Sequence, residues 1–461
     1  MNILILNGSP SGANSITLQT ILYIERFFPQ YSFRVLHVGP GIRRMEKDFS
    51  DCLTALQEAD LIVFCYPVYT FLVPAQLHRF IELMKEHQAD LKDKAATQIT
   101  TSKHFYDITA HRFIQENCDD MGLSYIRGLS ADMEDLLTEK GRREAIAFFD
   151  FVCWSMENQI FEPAISGTYP KKTGISGKAI ADLPEPAAET EDGTRVVVVT
   201  DMGMEDDGAD PDLARMIRYF EARCSSQVDV VNLREFPFAG GCLGCFHCAA
   251  DGTCVYKDGF TEYLRDRIQS ADAIVYAFTI RDHSMGYRFK LYDDRQFCNG
   301  HRTVTMGKPV GYLVNGDLQR ETNLRTLMEA RSEVGGNFLA GIAVNDPASD
   351  DLAGQIDRLA KTLQYAIRNH FQMPKNFYGV GGLKIFRDLI YQMRGLMKED
   401  HRFYKEHGFY DFPQKRKGRT IAMYLVGGMM KNKKLRKKMG NRMTEGMLMP
   451  YKKVMKMNRF E

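Results

Sequence analysis

Four cysteines lie close together in the second half of the chain, and thiols at such short spacing bind metals or carry electrons. They are Cys242, Cys245, Cys248 and Cys254 in GGCLGCFHCAADGTC, with the spacing Cys-x2-Cys-x2-Cys-x5-Cys. A zinc ribbon uses two separated Cys-x2-Cys pairs, so this spacing fits zinc poorly. It is closer to the ferredoxin pattern, in which thiolates bind a four-iron, four-sulfur cluster. An iron–sulfur cluster, free thiols and zinc are the three alternatives at this point.

A Ser- and Gly-rich loop, GSPSGANS, follows the apolar segment MNILILN at the start of the chain. The apolar run predicts a strand buried on both faces of a parallel sheet, and ITLQTILYIERFF after the loop predicts a helix. Free N–H groups at a helix N-terminus, with Ser and Asn side chains beside them, favour a phosphate. The loop is neither a Walker A motif nor a GxGxxG motif. The candidate phosphate ligands are Ser9, Ser11, Asn14, Ser15 and Ile16.

Two further loops follow the third and fourth predicted strands. Open α/β sheets bind ligands outside the carboxyl ends of their strands, so we expect all three loops to meet at one edge. Aromatic side chains in these loops can stack on a flat ring, and His104 and Tyr106 are candidates for proton delivery to it. The candidate binding residues are Pro67, Val68, Tyr69, Thr70 and Phe71 in one loop and Thr101, Ser102, His104 and Phe105 in the other.

The motifs of these loops resemble those of the flavodoxin-like NAD(P)H-dependent FMN reductases. The resemblance implies FMN as the cofactor, with its phosphate in the first loop and its ring on the second, and NAD(P)H as co-substrate. Ser11 stands where the family has Arg, so one charge contact to the phosphate is lost. The matching positions are Gly8, Ser9, Pro10, Asn14 and Ser15, then Pro67, Val68, Tyr69, Pro74, Leu77 and Phe80.

The cysteine loop resembles that of the iron–sulfur flavoproteins, in which a compact loop after the second strand binds a [4Fe–4S] cluster. Related FMN reductases carry a similar loop without a cluster. The resemblance implies an enzyme that transfers electrons between a reduced donor and a small-molecule or protein acceptor through FMN and the cluster. One alternative is a cluster-free NAD(P)H-dependent FMN or quinone reductase. Another is a non-enzymatic electron carrier or redox sensor that docks a partner through its basic tail.

The strand–helix alternation occurs twice, and QEADLIVFCYP in the first half aligns with QSADAIVYAFT in the second. We therefore predict an α/β chain of two tandem flavodoxin-like, doubly wound parallel sheets. The predicted parts are an FMN-binding domain at 1–165, a linker at 166–193, a second domain at 194–372 and a basic, Met-rich extension at 373–461. FMN lies at a subunit interface in related flavoproteins, and a tandem chain can form that interface within itself, although an oligomer is not excluded.

Two loops of the second domain differ from their counterparts in the first. Six carboxylates in TDMGMEDDGADPD occupy the place of the phosphate loop, so we expect no FMN phosphate there. Residues 281–301 replace the aromatic loop. Lys290, Asp294 and Arg295 in this segment resemble the Lys and Asp-Arg residues of the helix that follows this loop in the reductases. Arg281, His283 and Arg288 in this segment are candidates for anion contacts, and a surface loop without a ligand is the alternative.

Several element boundaries are also predicted. LSYIRGLS reads as one strand, followed by a closing helix over 131–158. In the second half we expect helices over 259–269, 321–334 and 350–370. From about Phe371 onward the strand–helix pattern breaks down, and over the last 47 residues we expect short basic helices or partial disorder.

Composition places the chain among cytoplasmic globular proteins. It has 461 residues, 44% hydrophobic and 26% charged, and its apolar runs are shorter than the roughly 18 residues of a membrane-spanning helix. A reducing cytosol argues against disulfides as the purpose of the ten cysteines. Residues 415–461 carry 15 Lys or Arg and two Glu, which leaves a net charge of −12 on the rest. This basic tail predicts contact with an anionic membrane or an acidic protein, whereas no nucleic-acid motif is present.

Overall fold

The computed structural model describes residues 1–165, 193–203, 210–346, 351–415 and 417–431. Most of the predicted linker, part of the acidic segment and the tail from residue 432 onward lie outside the described residues. The chain divides into two compact units, Met1–Phe403 and Tyr404–Glu461. Both predicted sheets lie in the first unit.

The first sheet is built from parallel strands with helices on both faces. Its strands are β1 (Asn2–Asn7), β2 (Ser32–His37), β3 (Leu61–Pro67), β4 (Ala95–Ser102), β5 (Ser124–Tyr125) and β6 (Leu129–Asp132). Its helices are α1 (Ile16–Glu25), α2 (Val38–Met45), α3 (Ser50–Glu58), α4 (Ala75–Glu86), α5 (Asp107–Asp120) and α6 (Glu139–Asn158). The strand order is β2-β1-β3-β4-β5, which is the flavodoxin-like order. The central strands β1 and β3 are buried along nearly their whole length, as their apolar sequences predict.

The second sheet repeats this design. Its strands are β7 (Arg195–Thr200), β8 (Gln227–Asn232), β9 (Ala273–Thr279), β10 (Pro309–Asn315) and β11 (Phe338–Asn345). Its helices are α7 (Pro211–Arg223), α8 (Cys248–Asp251), α9 (Phe260–Tyr263), α10 (Tyr287–Arg295), α11 (Thr322–Gly335) and α12 (Leu352–Arg368). The order β11-β10-β9-β7-β8 is the same topology, with every pair parallel. The predicted α/β fold with two tandem flavodoxin-like sheets is therefore confirmed.

Three helices follow the second sheet, namely α13 (Phe377–Gln392), α14 (Lys398–Glu406) and α15 (Lys417–Met430). The first of them packs on the first domain, because the Phe386 ring lies 4.2 Å from that of Phe105. The Tyr106 hydroxyl also donates to the Tyr378 carbonyl at 2.7 Å. None of the described helices is long and apolar enough to cross a membrane.

Three predicted elements differ from the structure. LSYIRGLS forms two short strands, because β5 pairs with Ala95 and Ala96 and β6 pairs with the last four residues of β4. Between them Gly128 passes so close to β4 that an added Cβ would lie 2.3 Å from Gln98. The closing helix therefore begins at Glu139 rather than near residue 131. Similarly, the helix expected over 259–269 is the short α9 followed by a π-helical turn over Leu264–Gln269.

The two domains meet through α4 and α10, which occupy equivalent positions after the third strand of each sheet. The Asp294 carboxylate of α10 accepts a hydrogen bond from the Ala75 N–H at the start of α4, at 2.7 Å. In return, the Glu82 carboxylate of α4 accepts from the Tyr287 N–H at the start of α10, at 2.9 Å. Ala75 and Tyr287 are the first residues of their helices, and Glu82 and Asp294 are the eighth residues. Each domain thus caps the other in a pseudo-twofold arrangement.

The substitution Asp294→Ala is expected to lower the free energy of unfolding by about 3 kcal/mol. Asp294 is fully buried and pairs with the equally buried Lys290, so its removal leaves one charge unpaired and one helix uncapped. Urea denaturation followed by circular dichroism measures the change. The control is Asp150→Ala on the exposed face of α6, which we expect to change stability by less than about 0.5 kcal/mol. Equal midpoints for the two variants would contradict the prediction.

Candidate functional site

The three predicted loops meet at the carboxyl edge of the first sheet. The Thr17 hydroxyl at the start of α1 lies 2.6 Å from that of Thr101 at the end of β4. The Val68 N–H after β3 donates to the Thr101 carbonyl at 3.3 Å. The Thr109 hydroxyl at the start of α5 donates to the Phe71 carbonyl at 2.6 Å. These bonds join the loops after β1, β3 and β4 into one site.

The first loop is held open by its own hydrogen bonds. The Asn7 side chain donates to the Gly12 carbonyl at 2.8 Å, and Gly12 has a φ of +55°, which favours glycine. Ser15 caps α1, because its hydroxyl accepts from the Leu18 N–H at 3.3 Å. The first N–H groups of α1, beginning with that of Ile16, have no helical acceptor, and Ser11 and Asn14 are exposed beside them. The loop therefore offers the donor groups that an anion requires.

The second loop is a tight turn with a strained backbone. Tyr69 and Leu72 bond to each other through both backbone N–H groups, at 2.8 and 3.0 Å. Thr70 and Phe71 between them have φ values of +42° and +71°, which side chains other than glycine rarely adopt. Phe71 is buried against Phe105 and Tyr106, with ring centroids 5.2 and 4.8 Å away. Such strain persists only where surrounding contacts enforce it, and it concentrates at functional sites.

The two candidate proton donors differ in their surroundings. His104 is half exposed, and its Nδ1 lies 2.9 Å from an oxygen of Asp107. Tyr106 donates its hydroxyl to the Tyr378 carbonyl, and burial raises the pKa of its phenol. His104 therefore faces solvent at the rim of the site, while the Tyr106 hydroxyl holds α13 in place. Their roles in catalysis stay predictions.

The cysteine loop lies between β8 and α9 of the second domain and covers the aromatic turn of the first. The Gln76 side chain on α4 donates to the Cys242 carbonyl at 3.3 Å. Gly244 passes so near Tyr69 that an added Cβ would lie 2.0 Å from the phenol oxygen. Burial, together with the neighbouring Cys242, raises the pKa of the Tyr69 phenol. The tandem chain therefore forms within itself the contact expected between subunits, with the cysteine loop beside the candidate flavin site.

Arg295 at the end of α10 anchors the cysteine loop. Its guanidinium is buried and makes two hydrogen bonds of 2.7 Å to the Asp258 carboxylate and one of 3.0 Å to the Gly240 carbonyl. It also lies 4.5 Å from the centre of the Tyr256 ring. A bidentate ion pair with a planar stack is the geometry for which Arg is suited and Lys is not. The segment that carries the thiols is thus fixed at both ends by one side chain.

The four sulfurs are spread more widely than the ligands of one zinc ion. No three of them lie mutually within 4.8 Å in the described chain. Cys242 is half-buried and Cys245 is exposed, whereas the Cys248 thiol donates to the Phe297 carbonyl at 3.1 Å. Burial raises the pKa of Cys242 to about 12 and that of Cys248 to about 11. Without a bound metal, these two thiols are therefore protonated at neutral pH.

Iodoacetamide is expected to alkylate metal-free protein fastest at Cys245 and at least about 100-fold more slowly at Cys242, because the thiolate is the nucleophile. Peptide mass spectrometry after timed quenching at pH 8 measures both rates. Urea-unfolded protein is the control, in which the two thiols react alike. Similar rates in the folded protein would contradict the geometry of the loop.

The equivalent edge of the second sheet is charged. Asp201 directly follows β7 and is buried, and desolvation raises its pKa to about 6. Asp210 accepts hydrogen bonds from Thr279 and from the Asn315 side chain. These carboxylates support the prediction that this edge takes no phosphate, although residues 204–209 of the acidic segment lie outside the described residues. His283, predicted as an anion contact, instead lies between the carboxylates of Asp120 and Glu321.

Sequence reasoning missed three contributors to the site. Gln76 and Thr17 lie on helices whose sequences mix polar and apolar residues, so no local signal distinguished them. Phe386 approaches the site from α13, in a segment whose sequence predicts no packed element. Its position is set by contacts distant in sequence, which a local pattern does not encode.

Residues 1–106 match the model of the NADPH-dependent FMN reductase family. This match contains all three loops of the first domain and confirms the resemblance drawn from their motifs. It covers less than a quarter of the chain and does not reach the cysteine loop. No match was found among curated proteins.

Solved structures resemble the chain over about one domain. An NADH:FMN oxidoreductase in its apo form is 19% identical, covers 33% of this chain and 89% of its own, with a TM-score of 0.30. An FMN-dependent NADH-azoreductase from Bacillus anthracis, solved with FMN, is 11% identical over 34% of this chain and 99% of its own, with a TM-score of 0.27. General stress protein 14 from Treponema denticola, also solved with FMN, is 14% identical and covers 34% of this chain and 98% of its own, with a TM-score of 0.27. The fold assignment rests on the strand order described above.

Proposed function

We propose that this chain is an NAD(P)H-dependent flavin oxidoreductase that binds FMN in its first domain. The observation that carries the proposal is the convergence of the three loops within the segment that matches the reductase family. The donors of Ser11, Asn14 and the first turn of α1 suit the phosphate, and the turn at Thr70 and Phe71 suits the ring. FMN, when bound, accepts a hydride from a nicotinamide and passes the electrons on.

The residues around the ring site would bind and orient the flavin ring, and they would exclude water from it. The strained turn holds Phe71 against Phe105 and Tyr106, and the three rings together form an apolar wall of the ring site. The cysteine loop closes over Tyr69 and keeps water from that side. His104 stays at the exposed rim, where its Nδ1 pairs with Asp107.

Purified protein reconstituted with FMN tests the proposal through the oxidation of NADH and of NADPH with a quinone as acceptor. Turnover with either nucleotide is the expected result, and the preferred nucleotide identifies the donor. Reversible reduction of bound FMN without turnover would favour the electron carrier. Protein that binds no FMN would overturn the proposal.

Ser11→Arg is expected to tighten FMN binding about tenfold, because a charge-assisted contact to phosphate contributes roughly 1.5–3 kcal/mol. Quenching of FMN fluorescence at low ionic strength measures the dissociation constant. Ser32→Arg adds the same charge at the opposite edge of the sheet and controls for nonspecific attraction. Equal affinities of the two variants would place the phosphate elsewhere.

The finer proposal is that the four cysteines bind one [4Fe–4S] cluster. Four thiols on one anchored loop supply the full ligand set, and a cubane separates its ligand sulfurs more than a single zinc ion does. The loop lies directly on the aromatic turn, so electrons would have a short path between the two cofactors. Cys248 must leave the Phe297 carbonyl to act as a thiolate ligand.

Anaerobically purified protein is expected to contain about four iron atoms per chain and an absorbance shoulder that bleaches on reduction. Cys248→Ser should lose most of the iron, whereas Cys153→Ser on α6 should keep it. Wild-type protein with FMN but no iron would leave the cluster-free reductase as the function.

The basic segment 415–461 remains a proposed contact surface. Its described helix α15 exposes Ile421, Tyr424 and Leu425, at 61%, 79% and 67% of their surface. Exposed apolar residues next to basic ones are typical of segments that lie on an anionic membrane. This combination favours the membrane over an acidic protein as the partner.

A further inference from the structure

The second sheet repeats the aromatic turn of the first with different chemistry. Arg281 and Ser284 bond to each other through both backbone N–H groups, at 3.0 and 2.9 Å, as their counterparts Tyr69 and Leu72 do 212 positions earlier. The two residues between them again have positive φ values, and His283 stands where the first domain has Phe71.

Glu321 directly precedes α11, just as Tyr106 precedes α5. In the first domain the corresponding rings of Phe71 and Tyr106 are in contact, 4.8 Å apart. In the second domain His283 Nδ1 and Glu321 Oε2 form an ion pair of 2.9 Å. An aromatic pair has therefore been replaced by an imidazole and a carboxylate at the same place in the fold.

The first domain adds a third donor to this pair. Glu116 on α5 places a carboxylate oxygen so that one donor atom each from Glu116, His283 and Glu321 lie mutually within 4.8 Å. No other trio of His, Cys, Asp or Glu in the described ranges meets this distance. The cluster thus joins the two domains.

The Glu116 carboxyl is not satisfied by the protein. Only 4% of this residue is exposed, and its Oε2 has no hydrogen-bond partner, although Asn323 reaches the carboxyl group. A buried carboxyl oxygen without a partner costs free energy, and a cation in the cluster would remove that cost.

We propose that Glu116, His283 and Glu321 bind one divalent metal ion of the Mn²⁺ or Zn²⁺ class at the domain interface. Oxygen and imidazole nitrogen ligands bind such ions at about 2.1 Å, so two ligands of one ion are at most about 4.2 Å apart. The three donors, which lie mutually within 4.8 Å, therefore have to draw closer together when they bind one ion.

The surroundings complete the site. His283 Nε2 lies 3.0 Å from Asp120. When a histidine binds a metal through one ring nitrogen, a carboxylate on the other nitrogen orients the ring, and Asp120 would do so here. Lys85 pairs with Asp120 and with Asp282, each at 2.8 Å, and balances part of the negative charge. The Asp120 side chain is about one third exposed.

Manganese is the probe for this site, because thiolates bind Zn²⁺ but not the harder Mn²⁺. Chelator-treated full-length protein is titrated with Mn²⁺ while the electron paramagnetic resonance signal of the free ion is followed. We expect one tight site per chain, a rise in melting temperature with added Mn²⁺, and displacement by Zn²⁺. These readouts involve neither flavin nor turnover, so they are independent of the proposed oxidoreductase function.

Three variants locate the ion. Glu116→Gln and His283→Gln should abolish the tight site, and Asp120→Asn should weaken it about 10- to 100-fold. Asp206→Asn is the matched control, because it removes a carboxylate from the acidic segment and should leave the tight site intact. Melting curves without metal check that each variant folds. Wild-type binding only at millimolar Mn²⁺, or loss of the tight site in Asp206→Asn but not in Glu116→Gln, would overturn the proposal.

Discussion

A carboxylate from each domain caps a helix of the other, and the positions of the remaining functional groups depend on this exchange. Asp294 and Glu82 supply negative charge where α4 and α10 expose free N–H groups, which is where a helix attracts an anion. Because both helices follow the third strand of their sheets, the exchange brings the two carboxyl edges towards the interface. The cysteine loop thereby reaches Tyr69, and α5 reaches His283.

Duplication followed by divergence explains the chemistry at the two edges. A symmetric dimer carries every substitution twice, so it cannot change one site and keep the other. Here the first domain keeps the aromatic turn and the open phosphate loop. The second domain places Asp201 at the end of its first strand and His283 in its turn. The fusion of two copies into one chain is what permits a flavin-type site and a charged site to share an interface.

Much of the fold could be predicted because it depends on local pattern. The buried strands show as apolar runs such as MNILILN, and the Ser- and Gly-rich segment shows as the turn that joins β1 to α1. The strained turn at Thr70 and Phe71 could not be read from sequence, because its residues are not those that favour positive φ. The contacts of Gln76, Phe386 and Glu116 were equally hidden, since each depends on a partner far away in the chain.

The covering of the first site decides how a substrate approaches it. The cysteine loop closes the side at Tyr69, and α13 closes the side at Phe105. The stretch of rim between Ser11, Asn14 and His104 is left exposed. This exposed stretch is therefore the side from which a nucleotide donor can reach the proposed flavin site without displacing the cysteine loop or α13.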